Sequence, residues 1–174
     1  YLKEFNNGCH KCQKSQNEQK NSKDELLPLT PSKPLELVTT DIMGPLKTTR
    51  NGNKYIISFI DHFTKYVTLF AMPDQEATTT AKFLFNYICN NGIPDAVLSD
   101  QGRNYESIMF HELCTLLDIH KIRTTPYHAM CDGLSERFFR TLKKMMKCFI
   151  NDEHENWDEL LPPMQYAYNI SVHS

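Results

Sequence analysis

Three carboxylates stand near glycines where the backbone is expected to turn, and they are the residues best suited to chemistry. Asp41 lies in TTDIMGPL, Asp100 in SDQGRNY and Glu136 in DGLSERF. A nearby glycine lets the chain turn sharply and leaves the carboxylate projecting into a cleft. Converging carboxylate oxygens suit Mg²⁺ or Mn²⁺, and two such ions about 3.5 to 4 Å apart can clamp the attacking and leaving oxygens of a phosphoryl transfer. By spacing alone, however, the simpler interpretation stays favoured, in which these are three ordinary acids among the 21 of the chain.

The sequence pattern predicts that an α/β fold brings these acids together. Three β-branched runs with short connections predict an antiparallel meander, and apolar periodicity predicts the helices that follow. The predicted elements are strands in LELVTTDIMGPL, KYIISFIDHF and KYVTLFAM, a helix over 76–91, a strand over 94–99, a helix over 105–117, a strand over 120–124, a loop through Gly133, a long helix from Leu134 and a last helix from Trp157. This order indicates a five-stranded mixed sheet flanked by helices.

Within this layout the three acids share one end of the sheet. Asp41 is in the first strand, Asp100 at the carboxyl end of the fourth strand, and Glu136 in the first turn of the long helix. Open sheets keep their chemistry at such strand ends. Asp61, in the second predicted strand, is expected in a turn or at the surface rather than as a fourth ligand.

The charge distribution excludes a globally basic nucleic-acid binder but allows a local basic face. The chain of 174 residues has 19 Lys and Arg against 21 Asp and Glu, a net charge of −2. From Lys121 to Lys147 the balance is reversed, with seven Lys or Arg against two acids. On a helix, Arg140, Lys143 and Lys147 lie on the side of Glu136. Lys and Arg hold phosphates, but without further information a solvated helix stripe is the favoured interpretation.

Other parts of the sequence carry weaker indications. The opposite side of the long helix is expected to pack on the core through Phe138, Leu142, Met145 and Phe149. Tyr127 and His128 precede Gly133 in a predicted loop, where an aromatic ring could stack on an unpaired base or be partly buried at the strand end. Cys89, Cys114 and Cys148 fall in helical stretches and are expected to be buried as small hydrophobic residues.

The sequence also bears on the cellular setting. No apolar run approaches the length needed to cross a bilayer, so a membrane-spanning protein is not expected. The six cysteines include one close pair, which fits reduced thiols inside a cell better than a disulfide scaffold.

Three segments resemble the catalytic blocks of the retroviral and retrotransposon integrase core of the gypsy type. They are TTDIMGPL, GIPDAVLSDQGRNY and PYHAMCDGLSERFFRTLKKMMK, with 35 residues between Asp100 and Glu136. The resemblance covers nearly all of residues 35 to 174. It implies a ribonuclease-H-like fold in which Asp41, Asp100 and Glu136 are the catalytic residues and bind two Mg²⁺ or Mn²⁺ ions.

The resemblance further implies processing of an element's DNA 3′ ends and their joining to target DNA. The implied partners are element-end DNA, target DNA and further copies of the chain. The implied homo-oligomer is at least a dimer, and it is a tetramer when bound to DNA. The implied location is the nucleus of a cell, with no membrane partner. Arg140, Lys143, Lys147, Tyr127 and His128 become expected DNA contacts.

The sequence departs from the family pattern in two places. Ala129-Met130-Cys131 follow His128, where gypsy-type cores usually continue with Pro-Gln, and Phe139 stands where an asparagine is common. The first change is expected to loosen the loop, and the second to remove one polar DNA contact. Neither change touches a carboxylate.

The start of the chain resembles part of a zinc domain. Cys9-x-x-Cys12, followed by Gln13-Lys14, resembles the cysteine half of the His-His-Cys-Cys domain that precedes integrase cores. Tetrahedral zinc needs four ligands, and no paired histidines precede Cys9, so zinc is expected in the parent protein. The expected organisation is a remnant of the zinc domain over 1–14, a linker over 15–33 and the catalytic core over 34–174, with its last helix continuing beyond Ser174.

Two other functions remain open at this point. A domesticated integrase could act as a DNA-binding or assembly module on the same fold with weak or no catalysis, and the intact Asp41, Asp100 and Glu136 favour the enzyme over it. A true ribonuclease H is a weaker alternative, because it would have to recognise 2′-hydroxyls.

Overall fold

The computed structural model describes residues 31–124, 129–149 and 155–171, which form one sheet and the helices around it. In chain order the elements are β1 (Leu37–Met43), β2 (Tyr55–Asp61), β3 (Val67–Met72), α1 (Ala77–Asn91), β4 (Ala96–Ser99), α2 (Ile108–Leu116), β5 (His120–Arg123), α3 (Ala129–Phe149) and α4 (Trp157–Asn169). The predicted order of strands and helices is confirmed. None of the described helices is both long and apolar enough to cross a membrane.

The sheet is mixed and five-stranded, as predicted. Its spatial order is β3-β2-β1-β4-β5, with β1–β2 and β2–β3 antiparallel and β1–β4 and β4–β5 parallel. Because β1 and β4 run in parallel, with Thr39 opposite Leu98, their carboxyl ends lie side by side. This pairing puts Asp41 and Asp100 at the same edge of the sheet, where open sheets carry their sites.

Each face of the sheet is covered by a pair of helices, and alternate strand residues supply the two cores. One core joins buried residues of β1 and β2 with α1 and α2, including Val38, Ile57, Phe59, Leu84 and Phe110. The other joins the opposite face with α3 and α4, including Met43, Ile56, Ile60, Phe138, Leu142 and Trp157. Burying a side chain of this size stabilises the fold by about 1.5 to 3 kcal/mol. The strand that carries Asp41 is thus held from both sides.

The helix starts differ from the predicted ones. α3 begins at Ala129 rather than Leu134, so Glu136 lies two turns inside the helix and not in its first turn. Ala and Met are strong helix formers, and Gly133 is not among the described glycines with a positive φ, so it does not end the helix. α2 begins at Ile108 rather than Tyr105, because the Ser107 hydroxyl accepts a hydrogen bond from Phe110 N at 3.2 Å and caps the first turn.

Several side chains differ from expectation in their burial. Cys114 is buried, and burial raises the pKa of its thiol to about 11, but Cys89 and Cys148 are exposed. Phe139 packs in the core of α3 and α4 with its ring 5.5 Å from that of Phe138, so it is a core residue at the position of the missing asparagine. Asp61 caps a turn as expected, accepting hydrogen bonds from the backbone and hydroxyl of Thr64.

Candidate active site

The three acids line a single cleft between the sheet and α3. Asp41 is half-buried on β1, Asp100 is exposed just after β4, and Glu136 is exposed on α3. The cleft has a volume of about 210 Å³, and its remaining walls are hydroxyl-bearing residues: Thr39, Thr40, Ser99, Thr124 and Ser135. The structure therefore brings together the three acids that the sequence singled out.

Asp41 and Asp100 also line a second, adjoining cleft on the α1 side. Its volume is about 270 Å³, and it is further lined by Ile42, Gln75, Gly102, Arg103, Asn104 and Tyr105. Because both clefts contain the two aspartates and only one contains Glu136, the aspartate pair is the centre of the site.

Local backbone geometry fixes the orientation of both aspartates. Asp41 Oδ1 accepts a hydrogen bond from Ile42 N at 2.8 Å, and Asp100 Oδ1 accepts one from Gly102 N at 2.9 Å. A Cβ at Gly102 would lie 2.9 Å from that same carboxylate oxygen and 2.7 Å from Asn104 Oδ1. A side chain at position 102 would therefore displace these two side-chain oxygens, so the glycine favours the observed positions of the Asp100 and Asn104 side chains.

A buried tyrosine lies beneath the aspartate pair. Tyr105 is 1% exposed, and its hydroxyl lies 3.2 Å from Thr40 Oγ1. Burial raises the pKa of the Tyr105 phenol well above its usual value, and the negative charges of Asp41 and Asp100 raise it further against the opposing effect of the Thr40 hydrogen bond. The phenol is therefore neutral, and it links β1 to the loop that follows β4.

A buried histidine contacts Thr39, which lines the cleft from the face of β1 opposite to Thr40. His62 Nε2 is hydrogen-bonded to Thr39 Oγ1, and both residues are buried. Burial lowers the pKa of His62 to about 4, the Lys65 ammonium lowers it too, and the Asp61 carboxylate opposes them. At neutral pH the imidazole is uncharged, so it adds no cation beside the acids.

The chemistry of the acids fits a divalent ion, but their side chains do not converge on one point. Within residues 31–124, 129–149 and 155–171 no group of three or more His, Cys, Asp and Glu side chains could hold a metal ion as it lies. Asp41 and Asp100 line both clefts and offer the hard oxygens that Mg²⁺ and Mn²⁺ prefer. Glu136 is exposed and lines one of these clefts with them. The use of these acids as metal ligands stays a prediction.

The basic face of α3 has the predicted geometry. Arg140, Lys143 and Lys147 are exposed on the side of Glu136, while Phe138 and Leu142 on the opposite side are buried. Their contact with DNA stays a prediction.

Four further predicted site residues, Tyr127, His128, Cys9 and Cys12, lie outside the described residues. The same holds for the predicted zinc-domain remnant over 1–14 and for most of the predicted linker over 15–33.

Sequence comparisons identify a family. The Integrase core domain model matches residues 31–129. The Retrovirus-related Pol polyprotein from transposon 412 of Drosophila melanogaster is 33% identical over 172 residues, which is 98% of this chain and 14% of that protein. Gypsy retrotransposon integrase-like protein 1 of Mus musculus is 26% identical over 170 residues, which is 98% of this chain and 32% of that protein. The chain therefore spans only a minor part of the length of these relatives.

Solved structures share the fold. A chain of the simian T-cell lymphotropic virus intasome in complex with PP2A regulatory subunit B56 gamma superposes with a TM-score of 0.67 at 21% identity, covering 95% of this chain and 59% of that chain. The catalytic core domain of BIV integrase gives 0.64 at 20% identity, covering 80% of this chain and 86% of that chain. The predicted ribonuclease-H-like fold is thereby confirmed. With more than half of its length matched by the family model, this chain belongs to the integrase core domain family.

Proposed function

We propose that the chain is the catalytic core of a DNA integrase, which processes the 3′ ends of an element's DNA and joins them to target DNA. The observation that carries this proposal is the cleft shared by Asp41, Asp100 and Glu136 beside a basic helix face, in a chain of the integrase core family. Phosphoryl transfer depends mainly on positioning and electrostatic stabilisation, and the cleft offers groups for both.

Both reactions of this proposal are attacks by an oxygen on a phosphodiester. In end processing, water attacks phosphorus, the bond to the bridging 3′ oxygen breaks, and the retained strand ends in a 3′-hydroxyl. In joining, that hydroxyl attacks a target phosphodiester, a new P–O bond forms, and the target's own 3′ oxygen leaves. Because the attacked group and the bonds exchanged are alike, one site serves both steps.

The residues divide the work of this site. Asp41 and Asp100 would hold Mg²⁺ or Mn²⁺, with Glu136 closing the second ion position. Two such ions, when bound, would supply the charge that stabilises the attacking and leaving oxygens. Arg140, Lys143 and Lys147 would hold the DNA phosphates along α3.

The proposed partners are element-end DNA, target DNA and further copies of the chain. We expect the chain to form at least a dimer, and a tetramer on DNA. The intasome among the structural neighbours supports this part of the proposal. The nucleus is the proposed location, because chromosomal target DNA lies there. Zinc is proposed only for the parent protein, through Cys9 and Cys12 with two further ligands.

The decisive experiment is the substitution Glu136→Gln, which removes a charge and keeps the shape of the side chain. With oligonucleotides copied from the element's own terminal repeats and Mn²⁺, we expect both end processing and strand transfer to fall together by about 100-fold or more, because the second ion would lose a charged ligand and with it part of its stabilisation of the transition state. DNA affinity and melting temperature should stay near those of the wild type, because Glu136 is exposed.

The matched control is Glu112→Gln, an exposed acid on α2 outside both clefts, which should leave both reactions unchanged. Retention of either reaction by Glu136→Gln would refute the shared site. A wild-type chain that binds DNA ends but neither cleaves nor joins them would instead support the second candidate, a DNA-binding or assembly module.

A further inference from the structure

The cleft that contains the three acids also holds a buried hydroxyl without a partner. Ser135 lies beside Glu136 on α3, is 3% exposed and lines the cleft of about 210 Å³. Among the side chains in the described parts of the chain, its Oγ is the one buried nitrogen or oxygen atom without a hydrogen-bond partner. A buried hydroxyl left unpaired destabilises a fold, so native structures contain few of them.

The neighbouring hydroxyls show what an ordinary structural role looks like here. The Thr39 hydroxyl is hydrogen-bonded to His62, and the Thr40 hydroxyl is hydrogen-bonded to Tyr105. The Ser99 hydroxyl donates to the carbonyl of Asp100 at 3.1 Å. Each of these three hydroxyls therefore has a partner within the protein.

A hydroxyl on α3 also has an ordinary way to be satisfied within the helix. Thr141, six residues after Ser135 on the same helix, donates to the carbonyl of Arg137 four residues before it at 3.1 Å. Ser135 makes no such bond to its own helix and lines the cleft instead.

The chemistry of the cleft selects the group that this hydroxyl can bind. The three acids on the other walls repel an anion unless cations neutralise them, and a phosphodiester bound there through such cations still presents non-bridging oxygens that need donors. A lysine in this place would pair with the carboxylates and compete with the cations. A neutral hydroxyl can donate to the phosphate without doing so.

We propose that Ser135 donates a hydrogen bond to a non-bridging phosphate oxygen of the DNA strand bound between Asp41, Asp100 and Glu136. This assignment rests on the proposed function, because it takes DNA as the ligand of the cleft. The unpaired hydroxyl is then part of a preformed phosphate site, which lowers the stability of the free protein and is satisfied when DNA binds.

The test is the substitution Ser135→Ala, measured by melting temperature and by affinity for a labelled duplex end in Mg²⁺ at fixed salt. We expect the melting temperature to rise, because an unpaired buried hydroxyl is removed, and the dissociation constant to increase about 10-fold, as for a lost hydrogen bond to a charged group. End processing, measured as kcat/KM, should fall by the same factor.

The matched control is Thr49→Val, which removes a buried hydroxyl that is hydrogen-bonded within the protein. Thr49 is 5% exposed, donates to Asp158 Oδ2 at 2.8 Å and lies outside both clefts. Its loss should lower the melting temperature and leave DNA affinity unchanged, the opposite pattern to Ser135→Ala.

Unchanged DNA affinity in Ser135→Ala would overturn the proposal and point to a trapped water as the partner of the hydroxyl. A lower melting temperature for Ser135→Ala would overturn it too, since that result would mean that the hydroxyl already has a hydrogen-bond partner in the free protein. The affinity comparison needs no catalysis, so it decides the role of Ser135 even if the wild type cleaves no DNA and the proposed function fails.

Discussion

His62 couples the acid stability of the protein to the wall of the active-site cleft. Its imidazole is buried at the end of β2 and hydrogen-bonded to Thr39, two residues before Asp41. Protonation would place a cation in a buried position with the Lys65 ammonium nearby, and the Asp61 carboxylate compensates only in part.

We therefore expect His62 to destabilise the fold in acid. Its pKa is about 4 in the folded state and about 6.5 in an unfolded chain, so the unfolded state binds the extra proton between these values. Its contribution to the free energy of unfolding is fully present above pH 6.5 and is lost as the pH falls toward 4, by up to about 3 kcal/mol. Urea denaturation from pH 7 to 4 would show a steeper loss in the wild type than in His62→Gln, and parallel curves would contradict this expectation.

The acids of the site could be predicted from the sequence, but most of their neighbours could not. Asp41, Asp100 and Glu136 stand beside glycines and in family motifs, both of which are visible along the chain. Which hydroxyl-bearing residues line the cleft depends on strand pairing and on the packing of α3, and spacing along the chain does not encode either of these. Only the position of Thr39 beside Asp41 could have been predicted among these hydroxyl-bearing residues, because residues two apart on a strand share a face.

At the scale of elements, a carboxylate joins the loop between β1 and β2 to the start of α4. Asp158 Oδ2 accepts hydrogen bonds from the Thr49 hydroxyl at 2.8 Å and from the side-chain amides of Asn51 at 3.0 Å and Asn53 at 2.8 Å. Burial raises the pKa of Asp158, but these hydrogen bonds outweigh it, so the pKa of the carboxyl lies below its usual value. These hydrogen bonds connect the loop that follows the strand of Asp41 to α4, which packs in the core formed with α3.

Removing this carboxylate should loosen the loop. We expect Asp158→Ala to lower the free energy of unfolding by about 1 to 3 kcal/mol, since three donors lose their acceptor together. Equilibrium urea denaturation measures this loss, and Glu159→Ala serves as the control. Glu159 is exposed on the same helical turn, and its removal should change stability by less than about 0.5 kcal/mol. Equal midpoints for the two variants would show that the loop is held by other contacts.

α4 also covers one edge of the sheet. The side-chain amide of Asn169 accepts from Val67 N and donates to Val67 O, both at 2.9 Å, and Gln165 Oε1 accepts from Leu69 N at 2.7 Å. These bonds satisfy backbone groups of β3 that would otherwise be available to a strand of another chain. The sequence analysis predicted a helix from Trp157, but it held no signal that amides of this helix would bond to the backbone of β3.

The elements themselves followed from local patterns more closely than their ends did. The β-branched runs and the stop at Asn91-Gly92 match the structure, where the Gly92 φ of 104° ends α1. The start of α3 did not follow, because Gly133 indicated a loop while the residues before it are compatible with a helix. A glycine weakens a helix by about 1 kcal/mol, which tertiary packing overrides.

For the whole molecule, the distribution of charge matters more than its sum. The net charge of −2 opposes DNA binding, yet Arg140, Lys143 and Lys147 are exposed along one side of α3 with Glu136 at its cleft end. DNA phosphates are therefore expected to follow this side of the helix, with the rest of the surface contributing weak repulsion.

Reversing one charge at two places separates this local field from the global one. Lys143→Glu on α3 and Lys82→Glu on α1 both change an exposed lysine and take the net charge from −2 to −4, so any difference between them is local. Lys143 lies two helical turns beyond Glu136, where a strand bound at the cleft extends past it. Titration of labelled duplex ends at several salt concentrations should show Lys143→Glu binding more weakly, with the slope of log affinity against log salt reduced by about 0.9 for the lost phosphate contact. Lys82→Glu should keep the wild-type slope, and equal slopes for all three proteins would exclude this side of α3 as the DNA-binding face.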